Sequence, residues 1–282
     1  MASYLAYRVI ERISRILPVR AGYRAAKASA EIGWQFCPAI RAHVCSNLAH
    51  LLGGSPKQYR EASKEIFCHF GYYLFEVFTM HRLDLSSIAV EGMDHLNAAR
   101  QANRGVILLT AHLGNWELGA KVFQSLGYAL SVVALPHGDS RMDSLFNAQR
   151  IRAGANIIPV DRHATRSSLN ALRKGRLLAL LADRDFIGDG IPVSMGESKM
   201  LIPKGPAVLS LRAQAPIVPA FLVREAEGRF KLICKEVLWP TLDKSAKRPI
   251  EALVAAYAKV LEDALKCYSR QWLMFQPVFQ TS

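Results

Sequence analysis

The sequence predicts an α/β fold: a mostly parallel sheet flanked by helices, preceded by an N-terminal helical section. Three observations predict it. From residue 88 onward, short apolar runs alternate with helical stretches. Before that point the apolar residues recur at helical spacing rather than every second position. Nowhere do uninterrupted apolar residues reach the roughly 18 that a membrane-spanning helix needs. With 282 residues, 51% of them hydrophobic and 21% charged, the chain can bury a sizeable core.

The first element is YLAYRVIERISRIL, residues 4–17. On a helical wheel Leu5, Val9, Ile10, Ile13, Ile16 and Leu17 share one arc, while Arg8, Arg12 and Arg15 lie opposite with Tyr4 and Glu11. Pro18 ends the helix, and Arg20, Arg24 and Lys27 follow. Such a basic amphipathic helix fits the headgroup plane of an anionic membrane. It fits equally a terminal helix packed on the core with a solvated basic face. Residues 59–80 continue the helical spacing through Ile66, Phe67, Phe70, Tyr73, Leu74, Val77 and Phe78. The expected division is a helical, membrane-associating section over 1–87 and an α/β domain over 88–282. Within the latter, strands are expected at 105–110, 129–134, 155–160, 177–182, 217–222 and 231–234. The expected helices are 115–126, 141–153, 165–174, 206–213 and 249–269.

The net charge of +13 points to an anionic partner: nucleic acid, an acidic membrane surface or a phosphorylated substrate. The aromatic residues are not interleaved with basic ones as in nucleic-acid binders, so no nucleic-acid partner is expected. The five cysteines have no C-x-x-C pair and no regular spacing, which argues against a disulfide scaffold or zinc site and fits a reducing cytoplasm. No signal peptide is read at the N-terminus.

Three clusters carry chemistry. In TAHLGNWEL, 110–118, His112 follows an apolar strand, at the edge where open α/β sheets bind ligands. Gly114 permits a sharp turn, Asn115 can cap the next helix, and Glu117 in its first turn is expected to reach the imidazole. A carboxylate on one ring nitrogen fixes the tautomer and raises the basicity of the other. The competing reading is a capped helix start with an incidental histidine. No Gly-x-Ser-x-Gly elbow occurs and no cysteine neighbours the pair, so the nucleophile is expected to be a substrate hydroxyl. In LLADRDFIGDG, 180–190, Asp183 and Asp185 flank Arg184, suited to orienting a substrate, to a metal or to a loop salt bridge. In FNAQRIRAGANIIPV, 146–160, Arg150 and Arg152 end a helix, placed either for a phosphate or for the helix dipole. Lys199 and Lys204, in a Gly/Pro-rich entry loop, either meet an anionic donor or are solvated.

Taken together and in this order, TAHLGNWELG, FNAQRIRAGANIIPV, LLADRDFIGDG, GPAVLSLRAQAPIVPAFLVRE and RQWLMFQPVF resemble the bacterial lipid A biosynthesis acyltransferases (the lauroyl/myristoyl branch). These sit within the lysophospholipid/glycerolipid acyltransferase superfamily. The resemblance implies a glycerolipid acyltransferase-like fold and an enzyme on the cytoplasmic face of the bacterial inner membrane, peripheral or monotopic. It implies transfer of an acyl chain from acyl carrier protein or coenzyme A to a glycolipid hydroxyl, most simply that of a lipid A precursor. His112 is then the general base and Glu117 its orienting acid. Arg150 and Asp185, and with them Asp183, then match positions near the active site; Asn115 and Lys204, from the residue reading, complete the expected substrate-binding positions. Neither a metal nor a cofactor beyond the acyl donor is expected. The GNW between His112 and Glu117 also occurs in acyltransferases for phosphatidylinositol mannosides, so a mannoside or a lysophospholipid is an alternative acceptor. From another class, a non-catalytic basic membrane-binding protein would leave the His–Glu pair without a role.

Overall fold

A computed structural model describes residues 2–136, 138–240 and 248–280. Four helices come first: α1 (Ala2–Ile16), α2 (Val19–Phe36), α3 (Pro38–Leu52) and α4 (Arg60–Thr79). Pro18 and Pro38 separate the first three, since proline cannot supply the amide hydrogen that a continuing helix needs. β1 (Ala89–Glu91) and α5 (Met93–Arg100) lead to β2 (Val106–Thr110), α6 (Trp116–Ser125), β3 (Leu130–Ala134) and α7 (Ser140–Arg152). The chain continues as β4 (Asn156–Pro159), α8 (Ala164–Arg173), β5 (Leu177–Leu181), β6 (Ile191–Met195), β7 (Ser198–Ile202) and α9 (Gly205–Ala213). β8 (Ile217–Ala226), β9 (Arg229–Cys234) and α10 (Pro249–Cys267) complete the described elements.

The main sheet has the order β1-β9-β8-β2-β5-β3-β4. β8, β2, β5, β3 and β4 are parallel neighbours, while β9 runs antiparallel to β8. β2 is the centre of this arrangement: Val106, Ile107, Leu108 and Leu109 are all buried, because helices cover both faces of a parallel sheet. One apolar layer joins Ile107, Leu109, Phe221 and Tyr257; the other joins Leu108, Leu118, Val218 and the α4 residues Leu74, Val77 and Phe78. α4 thus shares the core of the sheet. α2 lies close along it: a Cβ on Gly71 would stand 2.7 Å from the Ala26 carbonyl oxygen, so only glycine permits that approach.

Two features depart from the sequence reading. The stretch 196–205, read as an entry loop, contains one arm of an antiparallel hairpin, β6–β7. In β6, Ile191, Val193 and Met195 alternate with the more exposed Pro192 and Ser194, and Met195, Met200 and Ile202 are buried in the core with Phe279. The apolar arc of α1 is also divided. Tyr4, Tyr7 and Ile10 pack on the core and Glu11 and Ser14 are buried, whereas Leu5, Val9, Ile13 and Ile16 face outward. The helix docks in part through its polar side, because Arg8 and Arg15 both pair with the buried Glu11 carboxylate. Among the described residues, no helix is long and apolar enough to cross a membrane.

Candidate active site

Parallel strands put their carboxyl ends on one edge, and the polar residues that follow β2 and β5 meet there. After β2 the chain turns at Gly114, whose φ is +63° and where a Cβ would fall 2.0 Å from the Leu222 carbonyl oxygen. Only glycine fits this turn. The Gly114 N–H donates to the Gln271 carbonyl (3.0 Å) and the Asn115 N–H to that of Leu222 (2.9 Å). The Leu273 N–H donates to the His112 carbonyl at 2.7 Å, so the C-terminal segment ties down the loop that carries the imidazole.

The partner of His112 is Asp183, at the end of β5. His112 Nδ1 lies 2.9 Å from Asp183 Oδ1, and the His112 backbone N–H donates to Oδ2, also at 2.9 Å. Trp272 Nε1 donates to the same Oδ2 at 2.9 Å. Burial opposes charge on the Asp183 carboxyl, but the imidazole beside it and these hydrogen bonds hold its pKa below the usual carboxylate value. The imidazole is partly exposed while Asp183 is fully buried. Nε2 of His112 has no hydrogen-bond partner among the described residues. Trp116 meets the imidazole edge-on, with ring centroids 5.0 Å apart, and stacks on Tyr73.

This corrects the expectation for Glu117. Its carboxylate does not bond His112; it is held by Arg150 of α7. Arg150 Nε donates to both oxygens at 3.0 Å and Nη2 to Oε1 at 2.5 Å. Burial works against the guanidinium, but Glu117 outweighs it and raises the Arg150 pKa. Glu117 and Asp183 are thus both buried acids, one facing a guanidinium and the other an imidazole.

The other expected substrate positions fall differently. Asn115 is buried: its Oδ1 accepts the Leu118 N–H at 3.0 Å, capping α6, and its Nδ2 donates to Glu76 at 2.7 Å. Both ends are therefore engaged by the protein. Arg150 likewise has its guanidinium engaged by Glu117 and Asn147. Asp185 accepts the Ile187 and Gly190 N–H groups and shapes the loop after β5. That loop presents Phe186 and Ile187 to solvent. Lys204 is half-exposed and pairs with Asp189 at 2.9 Å. Trp272 escapes sequence reading as a site residue. The RQWLMF segment is visible, but nothing local says that its indole reaches the end of β5. Among the described residues, no group of three His, Cys, Asp or Glu side chains gathers to hold a metal ion.

Several known proteins are similar to this chain. The phosphatidylinositol mannoside acyltransferase of Mycobacterium tuberculosis (strain CDC 1551 / Oshkosh) is 26% identical over 245 residues, covering 82% of this chain and 74% of that one. The lipid A biosynthesis palmitoleoyltransferase of Escherichia coli K12 is 27% identical over 198 residues, covering 68% and 61%. Among solved structures, the 1-acyl-sn-glycerophosphate acyltransferase of Thermotoga maritima aligns with a TM-score of 0.41 at 13% identity, over 85% of this chain and 97% of that one. The profile of the bacterial lipid A biosynthesis acyltransferases spans residues 2–281, almost the whole length that builds this sheet and its histidine loop, and the chain belongs to that family.

Proposed function

We propose that this acyltransferase moves a fatty acyl chain from an acyl carrier protein or coenzyme A thioester to a hydroxyl of a membrane glycolipid, with His112 as general base. The observation that carries the reading is the His112–Asp183–Trp272 arrangement at the carboxyl edge of the sheet. Asp183 holds the Nδ1–H tautomer, leaving Nε2 to accept the proton of the acceptor hydroxyl. The hydroxyl oxygen attacks the thioester carbonyl carbon, and the tetrahedral intermediate collapses with cleavage of the C–S bond. The departing thiolate takes the proton back from Nε2, so no covalent enzyme intermediate is needed. Glu117 and Arg150 act as a pair that fixes the start of α6 against α7. Lys204 and the Asp185 loop border the same edge, suited to an anionic donor or headgroup.

A lipid A precursor is the first acceptor to test. A phosphatidylinositol mannoside is the second reading, favoured by the match to the mycobacterial enzymes over 82% of this chain. The proposed location is the cytoplasmic face of the inner membrane, bound peripherally. In its favour, Leu5, Val9, Ile13 and Ile16 form an outward apolar stripe, with Ile16 82% exposed, and Arg12 is exposed on the same helix. Tyr4 of α1 packs under Arg141 at the start of α7, which puts the helix near the edge that carries His112. Leu135, Phe186 and Ile187 are exposed at the ends of β3 and β5 on that edge.

Purified protein given radiolabelled acyl-carrier protein and membrane lipid extract is expected to yield an acylated lipid, with His112→Ala reducing the rate by about 10³–10⁴. Undiminished transfer by His112→Ala would refute the general-base role. Mass spectrometry of the product identifies the acceptor. The membrane reading is tested separately by sedimentation with anionic vesicles. Val9→Glu with Ile13→Glu is expected to abolish binding without loss of fold, and unchanged binding would reject it.

A further inference from the structure

Next to the His112 turn, and joined to it through Asn115, lies a second, largely buried polar cluster that the proposed chemistry does not use. Glu76 of α4 is fully buried, and Arg224 of β8 nearly so. Arg224 grips Glu76 with Nη2 on Oε2 and with Nε on Oε1 at 2.9 Å. Tyr23 of α2 donates to Oε1 at 2.9 Å, and Asn115 Nδ2 donates to Oε2 at 2.7 Å. The far side of Arg224 is fixed as well: its Nη1 meets His69 Nδ1 at 2.6 Å, and its backbone N–H and carbonyl bond the Gln271 side chain.

A buried ion pair is a poor way to gain stability, since well-packed apolar residues of equal volume commonly do as well or better. What such a pair supplies is direction, and here one direction is aimed at the histidine loop. Asn115 stands between His112 and Glu117. Its Oδ1 must face the Leu118 N–H to cap α6, so its Nδ2 must face away, and Glu76 Oε2 is the acceptor that enforces this orientation. The cap sets where α6 begins, and the first residues of α6 are Trp116, which touches the His112 imidazole, and Glu117, which holds Arg150.

We propose that Glu76 is a positioning residue for acyl transfer: held by Arg224 and Tyr23, it orients Asn115 and thereby fixes the turn from His112 to Glu117. The inference rests on His112 being the base. In Glu76→Gln one oxygen becomes an NH₂: at the Oε2 position it faces the Asn115 NH₂, and at the Oε1 position it faces Arg224 Nε and loosens the grip that aims the side chain at Asn115. In Asn115→Asp, two carboxylates face each other. In the double exchange Glu76→Gln with Asn115→Asp, polarity is restored at the contact between these two side chains, while the amide at 76 no longer accepts from Arg224 Nη2. The carboxylate now at position 115 keeps one oxygen for the cap and accepts with the other from the amide now at position 76. It also returns a negative charge to the neighbourhood of Arg224.

The experiment compares the two single variants and the double exchange for kcat and KM of acyl transfer, alongside thermal unfolding and His112→Ala. Each single variant is expected to lose about a hundredfold in kcat, the cost of a displacement of roughly 1 Å, with little change in KM for the donor. The exchange is expected to recover at least tenfold of that loss. Three outcomes would overturn the proposal: kcat of the wild-type order in Glu76→Gln, losses that disappear when rates are expressed per folded molecule, or an exchange no better than the product of the singles. Full activity in His112→Ala would remove the general-base reading and this one with it; an inactive His112→Ala beside an unimpaired Glu76→Gln would remove this one alone.

Discussion

Two buried carboxylates flank the His112 loop, and the protein uses them in opposite ways. Asp183 lies 71 residues downstream, yet it takes three hydrogen bonds from the site: two from His112 and one from Trp272. Glu117 lies five positions from the histidine, and its carboxylate is enclosed by Arg150. Asp183 accepts from an imidazole, and in the proposed chemistry it would hold a proton on Nδ1 and leave Nε2 to take one from the acceptor hydroxyl. Facing a guanidinium that never gives up its proton, Glu117 can only neutralise and position. An acid takes part in proton transfer through what it touches, and sequence proximity is a poor guide to that.

The contrast can be broken most directly at Asp183. Asp183→Asn is expected to lower kcat by about a thousandfold while leaving the circular dichroism spectrum unchanged. Glu117→Gln, which leaves the Asp183–His112 contact intact, is expected to lower kcat far less. If Glu117→Gln costs the thousandfold and Asp183→Asn little, the two acids have been assigned the wrong way round.

Glu117→Ala should register chiefly as stability. It strands the Arg150 guanidinium, whose side chain is only 14% exposed, and such an uncompensated charge costs about 3–5 kcal/mol. Urea denaturation is the measurement, and a loss below about 1 kcal/mol would show that Arg150 finds another partner.

A third buried pair extends the comparison to pH. Burial, followed by the charge of Arg224, lowers the His69 pKa from 6.5 to about 3. Between those values the unfolded chain binds a proton that the folded chain refuses. Stability therefore rises with pH across this window and falls on acidification. His69→Gln, which can still accept from Arg224, should flatten that part of the stability–pH curve, and an unchanged slope would dismiss His69 as its source. The smallest effect is expected for Trp272→Phe, which removes one hydrogen bond to Asp183. About 1 kcal/mol, read as a five- to tenfold fall in kcat, is the anticipated size.

Much of the fold is legible in advance because it is written in local pattern. The β2 run of Val106 to Leu109 is apolar throughout, as a strand covered on both faces must be, and the helices between strands keep helical spacing. Asn115 is recognisable as a cap and Gly114 as a turn for equally local reasons. The β6–β7 hairpin is harder to see: Ile191, Val193 and Met195 do alternate, but Pro192 and the flanking glycines read as loop, and the inward residues meet α10 and the chain end that cover them. α1 shows the same limit from the other side. Its wheel displays an apolar arc correctly, but which side docks depends on Glu11, Arg8 and Arg15 finding one another in a buried setting.

The chemistry divides in the same way. Residue types and spacings suffice to mark His112 as a strand-end histidine, to exclude a serine elbow and to show the family likeness, because each is a property of a few consecutive residues. Which carboxylate meets the imidazole is decided by parallel pairing of β2 with β5, which carries Asp183 alongside His112, and by the C-terminal segment that brings Trp272 across. Hydrogen bonds act over about 3 Å and take no account of separation along the chain. The acid written next to the histidine is therefore only a candidate until the sheet closes, and the partner the fold selects is Asp183.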